Sequence, residues 1–176
     1  FVVLELRQRR PMLDLTLFRD STFSGANVSM LLVALAMFGV FFYVSLYVQQ
    51  ILGYSPVEAG ASFLPATILI AVLAPLVGRV VDRVGSRWLT GAGMTLLSLS
   101  LVVYSRLGTG SSYLDILPGL VLMGVGMALV MTPTTAAAMS SVPRDQAGVG
   151  SALLNSMRQV GGSLGIAITG AIVAHV

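Results

Sequence analysis

Residues 21–57 read STFSGANVSMLLVALAMFGVFFYVSLYVQQILGYSPV, a run of 37 residues between Asp20 and Glu58 without an acidic or basic side chain. An α-helix rises about 1.5 Å per residue, so roughly 20 residues cross the hydrocarbon core of a bilayer, which is about 30 Å thick. Helices of soluble proteins are usually shorter and keep a polar face. This run therefore predicts a membrane-spanning helix.

The rest of the chain repeats this pattern. Uncharged runs of 20, 18 and 28 residues lie between Glu58 and Arg79, between Arg87 and Arg106, and between Asp115 and Arg144. Each run is long enough to span a bilayer or nearly so. The sequence predicts an all-α membrane protein whose five spans lie near residues 24–50, 56–78, 88–107, 114–139 and 147–173.

The composition of the 176 residues agrees with a membrane protein. Apolar residues make up 56% of the chain and charged residues 10%, whereas soluble domains average roughly 25% charged residues. The chain has no cysteine and one histidine, so we expect neither disulfides nor a metal site. The net charge of +3 does not indicate a nucleic-acid partner, because the basic residues are dispersed between apolar runs. The expected partner is the lipid bilayer.

The basic residues predict the orientation of the chain. All ten are arginines, and eight fall in alternate connections: Arg7, Arg9, Arg10, Arg19, Arg79, Arg83, Arg87 and Arg144. The positive-inside rule places residues 1–20, 79–87 and 140–147 in the cytoplasm, and residues 51–57 and 106–113 outside. We therefore divide the chain into the end of a preceding helix with a cytoplasmic basic linker (1–20) and a helical bundle (21–176).

One cytoplasmic loop carries a family resemblance. Residues 78–87 read GRVVDRVGSR, which resembles the G-x-x-x-D-R-x-G-x-[RK] signature of the major facilitator superfamily. That family has the signature between the second and third helices of each six-helix half. The resemblance implies that the chain holds five helices of such a half, with the last helix missing. Ser86 and Leu89 depart from the family's fuller version, which often has basic residues there.

Three further segments are similar to one group within that superfamily, the drug:proton antiporters with fourteen helices (EmrB/QacA-like). They are residues 11–19 (PMLDLTLFR), 52–56 (LGYSP) and 155–165 (NSMRQVGGSLG). The resemblance implies the C-terminal portion of a multi-pass plasma-membrane exporter that exchanges small amphipathic drugs for protons. It also implies an N-terminal half as partner, and no cofactor other than the proton gradient.

The loop motif supplies the first set of candidate site residues, Gly78, Asp82, Arg83, Gly85 and Arg87. Asp82 can pair with an arginine or with the N-terminus of a neighbouring helix, and the two arginines can reach carboxylates or lipid phosphates. Such contacts would hold the cytoplasmic side closed. The alternative is that these residues only anchor the loop at the membrane surface.

Arg158 is the second candidate, because it lies about eleven residues into the fifth predicted span. A charge at that depth costs about 2.5 to more than 10 kcal/mol, depending on the method, so the side chain must face protein or water. Arginine does not release its proton in proteins. We expect Arg158 to position groups or balance charge, with Asn155 nearer to its helix face than Gln159. A purely structural arginine that binds neighbouring carbonyls is equally compatible with the sequence.

Small residues and prolines in the spans are the third set of candidates. Gly161, Gly162 and Gly165 permit close approach of another helix, either for packing alone or for helix movement during transport. Pro133 removes a backbone hydrogen bond inside the fourth span. The hydroxyls of Thr132, Thr134 and Thr135 either bond to the freed carbonyl or line a polar route.

No acidic residue lies deep within a predicted span, since Glu58, Asp82 and Asp115 all lie at span ends. A proton-coupled carrier needs a protonatable group in its interior, so we expect its carboxylate outside this chain. Two alternatives to drug efflux stay open: export of one specific metabolite, and a non-transporting membrane sensor or assembly protein. We do not expect an enzyme, because no nucleophile–base pair or phosphate-binding loop is evident.

Overall fold

The computed structural model describes residues 15–108 and 110–174, and the predictions for residues 1–14 lie outside this part. The described chain is helical and contains no strand: α1 (Ser21–Gln50), α2 (Pro56–Ser62), α3 (Leu64–Val84), α4 (Ser86–Tyr104), α5 (Tyr113–Ser140) and α6 (Ala147–Ala174). Short 3₁₀ helices, Leu15–Arg19 and Arg144–Gln146, precede α1 and α6. The predicted all-α membrane fold is confirmed.

Helices α2 and α3 follow each other through Phe63 and form one apolar stretch, Pro56–Val84. This stretch, α1, α5 and Arg144–Ala174 are long and apolar enough to cross a membrane. Helix α4 is not in that set, although the sequence predicts it as the third of five spans. It has 19 residues and includes several hydroxyl side chains, and those of Thr95, Ser98 and Ser100 donate to carbonyls of α4 itself. These internal bonds reduce the cost of placing the hydroxyls in lipid.

Helix α2 begins with a capping sequence, Ser55-Pro56-Val57-Glu58. Ser55 and Glu58 form a capping box, in which the Ser55 amide donates to Glu58 Oε2 at 2.8 Å and the Glu58 amide donates to Ser55 Oγ at 3.4 Å. A second capping box, between Ser112 and Asp115, begins α5. These polar contacts fix where two helices leave the membrane surface.

Helix α5 lies at the centre of the bundle. Half of its most apolar stretch is buried, against 11% for Pro56–Val84. It packs along both α3 and α4, which hardly touch each other even though they are consecutive, and it also contacts α1. Helix α1 packs along α6. In this bundle α3, α4 and α1 all pack against the central α5, and α6 is held mainly by its contact with α1.

Two apolar clusters lie at opposite ends of this bundle. One contains Val44, Val48, Ile116 and Leu120, and near it the Tyr47 hydroxyl donates to the Gly108 carbonyl. The other contains Phe23, Met30, Ala138 and Leu154. The connections at residues 20, 85 and 140–147 lie at this second end, which we call the arginine-rich end. The arginine-bearing connections at residues 20, 85 and 140–147 thus lie at one end of the bundle, as their alternate positions in the sequence predict.

Candidate functional site

Arg158 lies between the two apolar clusters, where α1, α5 and α6 leave a groove of about 140 Å³. We call it the Arg158 groove; it is lined by Met30, Met131, Thr135, Ser151, Leu154, Asn155 and Arg158. The arginine is half-buried, and its Nη2 donates to Asn155 Oδ1 at 2.7 Å. Asn155 precedes it by three residues, which places both side chains on one face of α6.

The described residues give Arg158 a neutral partner and no acidic one. A guanidinium has five N–H donors, and the bond to Asn155 uses one of them. Gln159 is exposed and has no hydrogen bond to Arg158 among the described residues, because one position along a helix turns the side chain by about 100°. The structure thus joins two of the three predicted intramembrane polar residues and leaves the third apart.

Methionines form the wall beside Arg158. Met30, Val33, Ala34 and Met37 of α1 and Met131 of α5 line a narrow hollow that ends at the arginine. Sequence reasoning did not assign Met30 or Met131 to the site. A signal was present for α1, since residues 30, 33, 34 and 37 have the i, i+3, i+4, i+7 spacing of one helix face. For Met131 the sequence gives no comparable signal.

The loop motif forms the connection between α3 and α4. Gly85 has φ +86° and ψ 146°, a conformation that side chains with a Cβ rarely adopt, and its amide donates to the Val81 carbonyl at 2.9 Å. Asp82, Arg83 and Arg87 are exposed, and none of them forms an ion pair with a described residue. Gly78 lies further along α3, where an added Cβ would meet Thr132 Cγ2 at an ordinary 3.7 Å.

The three glycines predicted on α6 all face α1. A Cβ on Gly161 would overlap the Leu31 carbonyl oxygen, a Cβ on Gly165 would overlap the Leu35 carbonyl oxygen, and Gly162 faces the Phe38 ring. Gly161 meets Leu31 and Gly165 meets Leu35, so residue numbers rise in the same direction along both helices, and α1 and α6 run parallel. Tight packing, one of the two roles predicted for these glycines, is what the geometry requires.

Pro133 is buried in α5, and the threonines beside it do not all act as expected. Proline removes the bond to the carbonyl four residues earlier, that of Leu129. Thr135 donates instead to the Met131 carbonyl at 2.8 Å, because a threonine hydroxyl reaches back four residues. Thr132 and Thr134 donate to no described carbonyl, so the expected repair of the Leu129 carbonyl by these hydroxyls is wrong.

Long apolar ridges remain uncovered on the outside of the bundle. Every fourth residue of α3 is an exposed Leu, Ile or Val from Leu64 to Val84, and α6 repeats this with Val160, Leu164, Ile168 and Ile172. An exposed apolar surface of this extent is incompatible with water and suits lipid or another apolar helix. Helices α3 and α6 therefore each keep an apolar face for lipid or for a helix outside this part of the chain.

Curated proteins of drug and antibiotic resistance resemble this chain over nearly its full length. Multidrug resistance protein Stp of Mycobacterium tuberculosis is 38% identical over 174 residues, covering 99% of this chain and 32% of that protein. The Tetracenomycin C resistance and export protein of Streptomyces glaucescens is 38% identical with the same coverage. Puromycin resistance protein pur8 of Streptomyces alboniger is 33% identical over 184 residues, covering 99% of this chain and 37% of that protein.

The chain spans about a third of the length of the curated relatives it matches. Its apolar helices and its bacterial transporter relatives assign it to a multi-pass protein of the plasma membrane. The family model described as Major Facilitator Superfamily matches residues 4–166. The motif, the helical bundle and this match agree, and the chain belongs to the major facilitator superfamily.

Proposed function

We propose that this chain is part of a proton-coupled secondary transporter that exports small amphipathic drugs by alternating access. The observation that carries the proposal is the Arg158 groove, a polar site in the middle of the bundle between two apolar clusters. Transporters of this type bind substrate near the middle of the membrane, between two halves. The resistance and export proteins to which the chain is similar support drugs as the substrate class.

In this proposal Arg158 is a fixed positive charge and not a proton carrier. Arg158 lines a groove whose described lining contains no carboxylate. A carboxylate supplied by the rest of the transporter would pair with Arg158 when ionised and leave it when protonated. Substrate release would then be coupled to the proton because a proton and Arg158 compete for the same carboxylate.

The methionines beside Arg158 suit varied substrates. Met30, Met37 and Met131 have flexible, polarizable side chains that adapt to ligands of different shape. An apolar wall with one or two polar groups is the usual composition of a small-molecule site. The N-terminal half of the transporter would close the open side of the groove and cover part of the ridges on α3 and α6.

The exposed Asp82 suits the predicted role of the loop in holding the cytoplasmic side closed. It lies in the last turn of α3, where the helix dipole disfavours a carboxylate, and no described cation pairs with it. Pairing with the N-terminus of a helix in the other half would remove this disadvantage and hold the cytoplasmic side closed. We expect Asp82→Asn in the complete transporter to impair efflux and leave its membrane abundance unchanged; unaltered efflux would contradict this role.

The groove hypothesis is tested by drug efflux in cells that express the complete transporter and lack their own efflux pumps. Arg158→Gln removes the charge and is expected to lower efflux of a fluorescent cationic dye at least about tenfold, as for loss of an interaction with an ion. Arg106→Gln, at the end of the bundle opposite the arginine-rich end, is the matched control and should keep efflux near wild type.

A second experiment neutralises Arg158 without removing it and uses one test variant and one control variant. Asn155→Asp places a carboxylate within reach of the guanidinium, and the resulting ion pair should block efflux while the protein stays folded. Gln159→Glu adds the same charge on another face of α6 and should have little effect. Wild-type efflux by both Arg158→Gln and Asn155→Asp would overturn the role of Arg158, and absence of dye efflux by the unaltered complete transporter would overturn the proposed function.

A further inference from the structure

Asn27 is a buried polar side chain in the second turn of α1. It is 2% exposed and lies between Phe23 and Met30, two members of the apolar cluster at the arginine-rich end, which we call the Phe23 cluster. Its Nδ2 donates to the Phe23 carbonyl at 2.9 Å, whereas its Oδ1 is buried without a hydrogen-bond partner among the described residues. Buried polar groups are nearly always bonded, and an unbonded one carries a desolvation cost. The amide oxygen of Asn27 therefore lacks a donor in this conformation.

The parallel packing of α1 and α6 places Asn27 and Arg158 at the same level of the bundle. Gly161 of α6 meets Leu31 of α1, and Gly165 meets Leu35. Residues of the two helices that lie level with each other thus differ by 130 in number. Arg158 is therefore level with Val28, the residue that follows Asn27.

The two polar residues also lie on surfaces that face each other. On α1, Phe23, Asn27 and Met30 have the i, i+4, i+7 spacing of one helix face. On α6, Leu154 and Arg158 are four residues apart on one face, and both line the Arg158 groove. Met30 and Leu154 join these surfaces, because both belong to the Phe23 cluster and both line the groove. Asn27 does not line the groove itself, so a substrate there would not touch it.

Arg158 has the donors that the Asn27 oxygen lacks. Its guanidinium has five N–H donors, and the bond to Asn155 Oδ1 uses one of them. Neither the groove lining nor the Phe23 cluster contains an acidic side chain among the described residues. A charged side chain inside a membrane bundle needs polar partners, and an amide oxygen supplies one without neutralising the charge.

We propose that Asn27 is a positioning residue for Arg158, and that its Oδ1 receives the guanidinium when a protonated carboxylate has released it. This role rests on the proposed function, in which Arg158 pairs with a carboxylate of the rest of the transporter during the cycle. Asn155 holds the guanidinium at the groove, and Asn27 withdraws it towards the inside of the bundle. Because both acceptors are neutral, the arginine keeps its charge and can return to the carboxylate.

The test compares the thermal unfolding midpoint, Tm, of variants of the complete transporter purified in a neutral detergent. Asn27→Asp places a carboxylate where Arg158 can reach it, and the pair should be tolerated. In the Arg158→Gln background the same carboxylate is buried without a partner, which is strongly destabilising. We expect Asn27→Asp to lower Tm by at least about 3 °C more in the Arg158→Gln background than in the wild-type background.

Ser29→Asp is the matched control, because two positions along a helix turn the side chain by about 200°, away from Arg158. Its effect on Tm should be the same in both backgrounds. An equal effect of Asn27→Asp in both backgrounds would overturn the proposal, and is expected if Asn27 instead faces the buried, unpartnered hydroxyl of Thr134 on α5. An Asn27→Asp protein that fails to fold, although Arg158 is present and Ser29→Asp folds, would also overturn it.

Dye efflux gives a second readout, which a structural role in the Phe23 cluster would not produce. Asn27→Leu removes the acceptor, so the guanidinium should leave the carboxylate less readily and the maximal rate should fall about two- to tenfold, as for loss of one hydrogen bond. The KM for the dye should stay near wild type, and Asn27→Gln, which keeps an amide oxygen, should restore part of the rate. A raised KM at an unchanged maximal rate would contradict the positioning role.

The two readouts separate this proposal from the proposed function. The Tm comparison does not depend on transport, so it decides whether Asn27 and Arg158 interact even in a protein that exports no dye. Absence of dye efflux by the unaltered transporter would overturn the proposed function, whereas equal Tm effects in the two backgrounds would overturn only the role of Asn27.

Discussion

The contact between Arg158 and Asn155 shows how one side chain can keep a charge inside the bundle. Asn155 is on the same helix, so the 2.7 Å bond is independent of how α6 sits against its neighbours. The amide orients the guanidinium without neutralising it, because asparagine carries no charge. A fixed charge that travels with its own helix can act on a partner in more than one state of a transporter.

Gly85 is a residue whose role follows from its backbone alone. Its φ of +86° is available to glycine and costs other residues about 1–3 kcal/mol. We expect Gly85→Ala to lower the free energy of unfolding of the complete transporter by that amount, measured by denaturation in detergent. Gly91→Ala is the control, because its Cβ would meet open space on α4 and alanine favours a helix by about 0.5–1 kcal/mol. Equal stability of the two variants would contradict this explanation.

At the scale of helices, backbone contact through glycine recurs at each main crossing. On α5, Gly124 faces the Ala66 carbonyl of α3, and Gly126 faces the Gly93 carbonyl of α4. On α6, Gly161 and Gly165 face carbonyls of α1. In lipid, helices associate by close packing and not by the hydrophobic effect, so removal of side chains at a crossing increases the contact.

The α1–α6 crossing gives a direct test. Gly165→Ala places a Cβ against the Leu35 carbonyl oxygen, and overpacking of this kind typically costs about 1–3 kcal/mol. Gly170→Ala, one and a half turns further on, meets Phe42 at an ordinary 3.6 Å and is the matched control. Thermal unfolding of the complete transporter in detergent should give a lower Tm for the first variant only. A Tm for Gly165→Ala equal to that of the control would mean that the crossing is looser than described.

At the scale of the whole molecule, the bundle has two distinct ends. The connections at residues 20, 85 and 140–147 lie at the arginine-rich end, and those at 51–55, 105–108 and 110–112 lie at the other end. The positive-inside rule assigns the first end to the cytoplasm. The orientation of any one span in the membrane therefore determines the orientation of all five predicted spans.

Cysteine labelling checks that choice, since the chain has no cysteine of its own. In a cysteine-free version of the complete transporter, Val57→Cys, at a residue 82% exposed, should react with a membrane-impermeant maleimide in intact cells. Asp145→Cys, exposed at the other end, should react only after the cells are opened. Labelling of both residues from outside would contradict five crossings between residues 21 and 174.

Hydropathy and charge predicted the fold because the position of each span depends only on the residues within it and at its ends. The uncharged runs and the arginine distribution are local signals: each run coincides with a helical segment, and the arginine-bearing connections alternate with the other connections. The separation of α3 from α4 is not local, since it depends on the glycines of α5 that bring both helices onto it. The sequence therefore predicted that α3 and α4 are consecutive but not that they stay apart.

The candidate sites were predicted in part for the same reason. Arg158 and Asn155 stood out because polar residues are rare at that depth and their spacing places them on one face. Met30 and Met131 did not, because methionine in a span is unremarkable until two helices bring it beside an arginine. Thr134 was noted for its place beside Pro133, and only the packing revealed that its hydroxyl is buried and has no hydrogen-bond partner among the described residues.

The central position of α5 has a consequence for how the family can vary. A side chain on α5 meets α3, α4 or α1 in almost any direction, whereas most of α3 meets only one neighbour within the chain. Neutral drift should accordingly be slow along residues 113–140 and fast on the outward ridge of α3, where one aliphatic residue can replace another. Exchanges among aliphatic residues should therefore collect on that ridge, while α5 keeps the residues that its three neighbours require.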